Sequence, residues 1–166
     1  PLISGGSISK NYLYPGARVG WLSFHGEGLD KVKDAIQRLC NQRLSVNWEM
    51  QRGAIAALRG SLDHIHDFNS VMKKRRDLLV KRINDIEGLS VTPPKGAFYA
   101  FVKIDDLKGF KDDWAFVRAL LREGVVVVPG SGFTSTHEPR YFRMVLLPKE
   151  EQINLAMDKL QNFMNK

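Results

Sequence analysis

One apolar stripe commits the middle of this chain to a long helix. Ile65, Phe68, Met72, Leu79, Ile83 and Ile86 recur at helical spacing, with Ser61 or Asp63 placed to cap the helix at its start. Gly88 supplies the residue that commonly closes a helix, and Pro93-Pro94 forbid any continuation. A helix of that length with one apolar face must bury it against other elements, so the remaining segments have to supply a layer for it.

Those segments are short and mixed. Arg18 to Phe24 alternate as a strand, closed by Gly26 and Gly28. Val32, Ile36, Leu39 and Cys40 mark a helix from Asp30, and a second helix covers Trp48 to Leu58. Strands are expected near Ser90 to Thr92, from Phe98 to Ile104, over Val125 to Val128 as a buried type, and from Tyr141 to Leu147. Trp114, Val117, Leu120 and Leu121 mark a helix ended by Gly124. Pro148, then Glu150 and Glu151, open a final helix whose stripe is Ile153, Met157, Leu160 and Met164. Strands and helices mix without strict alternation, which places the chain in the α+β class, with helices packed on a small mixed sheet. The first 25 residues stand apart as a strand-loop-strand, with Lys10 to Gly16 as the loop, that suits some other sheet.

The 166 residues suffice for one compact domain with a real core. No apolar run approaches the roughly 18 residues of a membrane span. Pro1 in place of an initiator Met suggests a trimmed or processed chain, and no signal peptide is visible. Cys40 is the single cysteine, so no intrachain disulfide can form and a reducing, cytoplasmic setting is the default expectation. The net charge of +7 invites a nucleic-acid reading. Its densest cluster, Lys73-Lys74-Arg75-Arg76, lies inside the amphipathic pattern and lacks interleaved aromatics, so a solvated helix face is the better account and nucleic acid is not expected as a partner.

Three places could carry chemistry. Lys10 follows Ser7 and Ser9, and Pro15-Gly16 would turn the chain to bring Arg18 back beside it. A lysine that attacks a carbonyl must be neutral, although lysine ordinarily titrates near 10.4, so a nearby cation or desolvation would help it. Hydroxyls and a guanidinium fork suit a phosphate group. An ordinary surface loop uses the same residue types, and spacing alone leaves both readings open. Arg143 sits in the apolar run Tyr141-Phe142-Arg143-Met144-Val145, where alternation puts Tyr141, Arg143 and Val145 on one face and Phe142, Met144 and Leu146 on the other. It could grip a substrate carboxylate or simply reach solvent. Gly96, in Pro94-Lys95-Gly96-Ala97-Phe98-Tyr99, either lets backbone approach a ligand or makes a strand-entry turn. Gly130-Ser131-Gly132 lacks the spacing of a phosphate loop. His25, His64, His66 and His137 show no metal-ligand spacing, and no metal is expected. Cys40 falls on its helix's apolar stripe, which argues against a catalytic role.

The order of these segments is more specific than any one of them. S-x-S-K at Ser7 to Lys10, P-G-x-R-x-G at Pro15 to Gly20, R-R-D-L-L at Arg75 to Leu79, P-x-G-A-F-Y at Pro94 to Tyr99, V-x-P-G-x-x-F at Val127 to Phe133 and Y-x-R at Tyr141 to Arg143 together resemble the class I/II aminotransferases of fold type I, which use pyridoxal phosphate. The resemblance covers essentially the whole chain. Arg38-Leu39, Arg43-Leu44 and Phe142 to Pro148 make it most similar to archaeal-type alanine aminotransferases.

The resemblance implies roles. Lys10 matches the lysine that forms the Schiff base with the cofactor and shuttles a proton; Ser7 and Arg18 match phosphate-holding positions, and Ser9 the small hydroxyl residue before the lysine. Arg143 matches the arginine that binds the substrate α-carboxylate, and Gly96 a supporting glycine near the substrate entrance. Residues 1–25 would then be the cofactor-lysine segment of a large domain, α/β in the parent family, and residues 26–166 the small C-terminal domain. An amino group would pass between an L-amino acid, with alanine the leading choice, and a 2-oxo acid such as 2-oxoglutarate. The parent would be a homodimer, and the missing N-terminal large domain would carry the groups that stack on and pair with the cofactor ring. The chain alone is therefore expected to be inactive. Another fold type I enzyme (a lyase, synthase or decarboxylase) and a non-catalytic basic binding domain are the alternatives.

Overall fold

The computed structural model describes residues 1–134 and 140–166. The chain forms two compact units, residues 1–68 and 69–166.

In the first unit, β1 (Leu2–Ser7) leads directly into a single helical turn, α1 (Ile8–Asn11). Ser7 caps that turn, its Oγ accepting the N–H of Ser9 at 3.0 Å. Lys10 to Gly16 is therefore not a plain loop. The helical turn ends where Leu13 takes a positive φ of 56°, and a 3-10 turn follows over Pro15–Ala17. The chain returns as β2 (Gly20–His25), antiparallel to β1 from Leu2↔His25 to Ser7↔Gly20. Between β2 and the next unit lie two helices, α2 (Asp30–Asn41) and α3 (Trp48–Arg59). Ile8 and Ala17 pack with Ala54 of α3, and Tyr12, Val19 and Met50 close over them. Asn47 caps α3 by accepting the N–H of Met50 at 3.0 Å.

Helix α2 is amphipathic as expected, but none of its residues is buried, and Leu39 is 61% exposed. The stripe that carries Cys40 is thus not a core stripe within this unit, and the Cys40 thiol is exposed.

Helix α4 (Asp63–Asn84) begins where Ser61 Oγ accepts the N–H of Asp63 at 3.0 Å. Met72, Leu79 and Ile83 are buried, with Ile86 just beyond its end. The helix stops at Asn84, short of the glycine that the sequence offers as its end. The Asn84 side chain leaves the helical pattern to hold the next strand, accepting the N–H of Val91 at 2.9 Å. Gly88, at φ +85°, instead makes the turn into β3 (Leu89–Val91).

The second unit is a four-stranded sheet of order β3-β4-β6-β5, with β4 (Tyr99–Ile104), β5 (Val128–Pro129) and β6 (Tyr141–Val145). Every pairing in it is antiparallel. α5 (Asp113–Arg122) lies between β4 and β5 in sequence, and α6 (Glu150–Met164) closes the chain. The α+β arrangement and the leading strand-loop-strand are as expected. One sheet face is core: Ala100, Val102 and Ile104 of β4 alternate into it, as do Phe142, Met144 and the adjoining Leu146. Phe116 of α5 stacks on Phe142 at 5.9 Å and meets Phe163 of α6 edge-on at 5.2 Å, so one aromatic cluster joins sheet and helices.

Two expectations fail here. Trp114 and Leu121 are each 52% exposed, and α5 buries Asp113, Phe116, Val117 and Leu120 instead. Val125 to Val128 is not a fully buried strand: Val126 is 80% exposed, and only Val128 and Pro129 pair with β6. Pro129 has no N–H to extend the ladder.

The basic cluster is used inside the fold. Arg75 donates to the carbonyl of Leu147 at 2.6 Å and to Glu150 at 3.4 Å. Arg82 donates to Asn154 at 2.9 Å and Asp158 at 2.6 Å, fastening α4 to α6. A hydrogen bond to its own backbone N–H, with Arg75 beside it, holds the Glu150 carboxyl below the usual carboxylate range. Its contribution is present above the ordinary carboxyl pKa and is lost as pH falls through the lowered value.

The two faces of the sheet should differ sharply on truncation. Phe142→Ala costs about 3–5 kcal/mol in urea unfolding, as cavity formation in a core requires. Phe101→Ala, on the opposite face and stacked on Tyr141, costs about 1 kcal/mol or less. Equal losses would mean that the sheet is buried on both sides.

Candidate active site

Ser7, Ser9 and Lys10 are brought together by the β1-to-α1 junction. Ser7 Oγ accepts from Ser9, which leaves the Ser7 hydroxyl hydrogen to donate elsewhere. Lys10 is exposed in the last turn of α1. Ser7 and Lys10 line one open depression of about 730 Å³, with Gly6, Trp21 and Cys40 on its walls. Trp21 lies so close to Gly6 that a Cβ there would sit 2.3 Å from its ring, so a larger residue would require the exposed Trp21 side chain to shift.

Arg18 does not line that depression. It occupies a left-handed conformation at φ 54°, and its Nη1 donates to the carbonyl of Pro15 at 2.8 Å. It lines a second depression of about 610 Å³ with Arg43 and Asn47, and Cys40 borders both. The turn at Pro15-Gly16 therefore brings Arg18 back into the same unit as the lysine without placing it on the same wall.

Arg143 lies in the second unit, in register with Phe101 of β4 on one side and Val128 of β5 on the other. Alternation puts it opposite the core, as its sequence position requires. Its guanidinium carbon lies 4.4 Å from the Tyr99 ring centroid and 3.9 Å from that of Phe133. Among the described residues its Nε is a buried donor without an acceptor. Two aromatic faces thus pack against a cation that keeps an unused hydrogen-bond donor among the described residues.

Gly96 is not brought to Arg143's aromatic clamp. It lines a shallow groove with Lys73, Arg76 and Lys95, and nothing lies within 4 Å of where its Cβ would be. Gly130–Gly132 forms one 3-10 turn. Among the described residues no cluster of His, Cys, Asp or Glu could hold a metal, and no helix is long and apolar enough to cross a membrane. His137 lies outside the described residues.

Sequence reasoning missed three residues at this site. Tyr99 and Phe133 were visible as motif positions but not as a pair closing on one arginine. Asp113 is fully buried and accepts two hydrogen bonds from Ser131. In the sequence it is hidden behind Asp112, which does the helix capping by accepting from Ala115 at 2.8 Å.

A family description, aminotransferase class I and II, matches residues 1–160. The chain belongs to that family. It is 35% identical over 158 residues to an LL-diaminopimelate aminotransferase of Dehalococcoides mccartyi, covering 95% of this chain and 39% of the relative. It is 32% identical to the glutamate-pyruvate aminotransferase AlaA of Escherichia coli, covering 98% and 42%. Among solved structures, an alanine aminotransferase from Pyrococcus furiosus superposes with a TM-score of 0.92 at 39% identity, covering 98% of this chain and 42% of that one. The chain thus spans about two fifths of the length of these relatives.

Of the donors that pyridoxal phosphate would need, two are together in this chain and one is apart. An exposed lysine amine and an adjacent hydroxyl that retains its hydrogen share one depression, and a guanidinium lies on the next. An aldehyde and a phosphate are the groups those donors suit.

The glycines around Arg143 make a local test. A Cβ at Gly130 would lie 2.4 Å from Tyr141 Cβ and 2.7 Å from its carbonyl oxygen, whereas one at Gly132 meets nothing within 4 Å. Gly130→Ala is expected to destabilise the fold by about 1–3 kcal/mol, and Gly132→Ala to leave thermal unfolding unchanged.

Proposed function

We propose that this chain is the C-terminal part of a pyridoxal-phosphate-dependent aminotransferase, with residues 1–25 carrying the cofactor lysine and residues 26–166 the small domain. The observation that carries the reading is the buried Nε of Arg143, which has no acceptor among the described residues while two aromatic rings pack on its guanidinium. Such a donor is satisfied by a carboxylate, the group that every α-amino acid and 2-oxo acid shares.

The residues divide the work. Arg143 binds the α-carboxylate through its fork, with Tyr99 and Phe133 fixing the plane of the guanidinium. Ser7 and Arg18 hold the cofactor phosphate, and Ser9 sets the turn that presents Lys10. Lys10 would attach the cofactor and, when released, hold the proton taken from the substrate α-carbon and return it to C4′ of the cofactor. Bound pyridoxal phosphate supplies the electron sink that makes that α-proton acidic. Gly96 leaves space along the Lys95 to Ala97 segment for a substrate to pass. The amino group moves from an L-amino acid to a 2-oxo acid in two half-reactions. Alanine with 2-oxoglutarate is the leading pair, supported by the likeness to alanine aminotransferases. The parent acts as a homodimer, and the N-terminal large domain completes the cofactor site.

In the complete enzyme that contains this chain, Lys10→Ala lowers transamination about a thousandfold or more and removes the cofactor's protein-dependent visible band. Arg143→Lys raises KM for the amino acid about tenfold or more, since a bidentate grip becomes a point charge. L-alanine and LL-diaminopimelate compared as donors decide the substrate. Wild-type kinetics in either variant would sink the reading, as would turnover by the 166-residue chain alone for the expectation that it is inactive.

A further inference from the structure

Asp113 is the one charged side chain among the described residues that is fully buried. Its Oδ2 accepts the N–H of Ser131 at 2.7 Å, and its Oδ1 accepts the Ser131 hydroxyl at 3.2 Å. It does not cap its helix, because Asp112 does. Among the described residues this buried carboxylate bonds only Ser131, and its desolvation cost is offset by the geometry it fixes there. Ser131 is the middle residue of the turn Gly130–Gly132, which the N–H of Phe133 closes by donating to the carbonyl of Gly130 at 2.8 Å. At its start the turn is pressed against β6, since Gly130 has no room for a Cβ beside Tyr141. The turn is therefore fixed at one point by backbone contact and at the next by Asp113.

The residue that leaves that turn is Phe133. It is 50% exposed, so burial alone does not hold it. Yet its ring lies 3.9 Å from the guanidinium carbon of Arg143. We propose that Asp113 is a positioning residue for substrate carboxylate recognition: it locks the Gly130–Gly132 turn, and the turn sets Phe133 against Arg143. This rests on reading Arg143 as the carboxylate-binding residue. It predicts that an aspartate buried behind the turn controls how well the substrate is gripped, without touching it.

The test is steady-state kinetics on the complete enzyme, with Arg143→Lys as reference. If Arg143→Lys leaves KM unchanged, the carboxylate reading falls and the proposal with it. If KM rises there, Asp113→Ala is expected to raise KM for the amino acid about fivefold, as loss of one cation–π partner would, with kcat little changed. Asp113→Asn keeps an acceptor for the Ser131 N–H and restores most of the wild-type KM. Phe133→Ala gives a similar rise, and in the Asp113→Ala/Phe133→Ala double variant the two effects do not multiply. A general packing role for Asp113 would lower folded yield and would multiply with Phe133→Ala, and that result overturns the proposal. Should Asp113→Ala fail to fold, Ser131→Ala removes only the hydroxyl half of the contact. A smaller rise in KM, again lost in the Phe133→Ala background, supports the mechanism, and no rise refutes it.

Discussion

Strand β6 is the constraint on which the second unit depends. It lies between β4 and β5, so its backbone is tied on both edges and its register cannot slip without breaking two ladders. A shift of one residue would turn Phe142 and Met144 out of the core and drive Arg143 into it. The fully buried Phe142 thereby fixes Arg143 on the other face. The residue that would bind substrate is placed by the residues on either side of it that cannot leave the core.

Much of this was legible in the chain. The alternation from Tyr141 to Leu146 has a period of two, which no helix shares, and the stripe Ile153, Met157, Leu160 and Met164 is buried throughout. Reading failed where polarity misleads. In α5, Trp114 reads as core, but the buried stripe keeps Val117 and Leu120 and adds Phe116 and Asp113 in place of Trp114 and Leu121. An aspartate on a buried face is invisible to hydrophobic periodicity, because its partner, Ser131, is 18 residues away and polar itself. Gly88 misled differently: the helix ends at Asn84, whose side chain bonds Val91, and Gly88 makes the turn into β3. At the candidate site, Lys10, Arg18 and Arg143 were marked by the order of motifs, while the pairing of Tyr99 with Phe133 depends on a strand register and a turn that no local pattern encodes.

The first unit shows the opposite balance. Its buried apolar cluster is Ile8, Ala17 and Ala54, which is small for a unit of its size. Leu2, Trp21, Leu22, Leu39 and Trp48 are all exposed within it. Its shape comes from local devices: a serine cap, a proline-started turn, and left-handed backbone at Leu13 and Arg18. Such devices hold a backbone path without a large core. They present Ser7 and Lys10 at the mouth of a depression and leave it open to a ligand.

The charge of the chain obeys the same logic of use. Of the four adjacent basic residues from Lys73 to Arg76, the two arginines have acceptors within the fold. Arg75 reaches the end of β6 and the start of α6, and Arg76 turns to Asp77, leaving the lysines on the solvent face. Arg143 is the contrast. Its aromatic neighbours can hold the cation's faces but cannot accept a hydrogen bond from its edge, and an unsatisfied buried donor costs about 1–3 kcal/mol. The structure supplies aromatic faces to Arg143 and, among the described residues, no acceptor for its Nε.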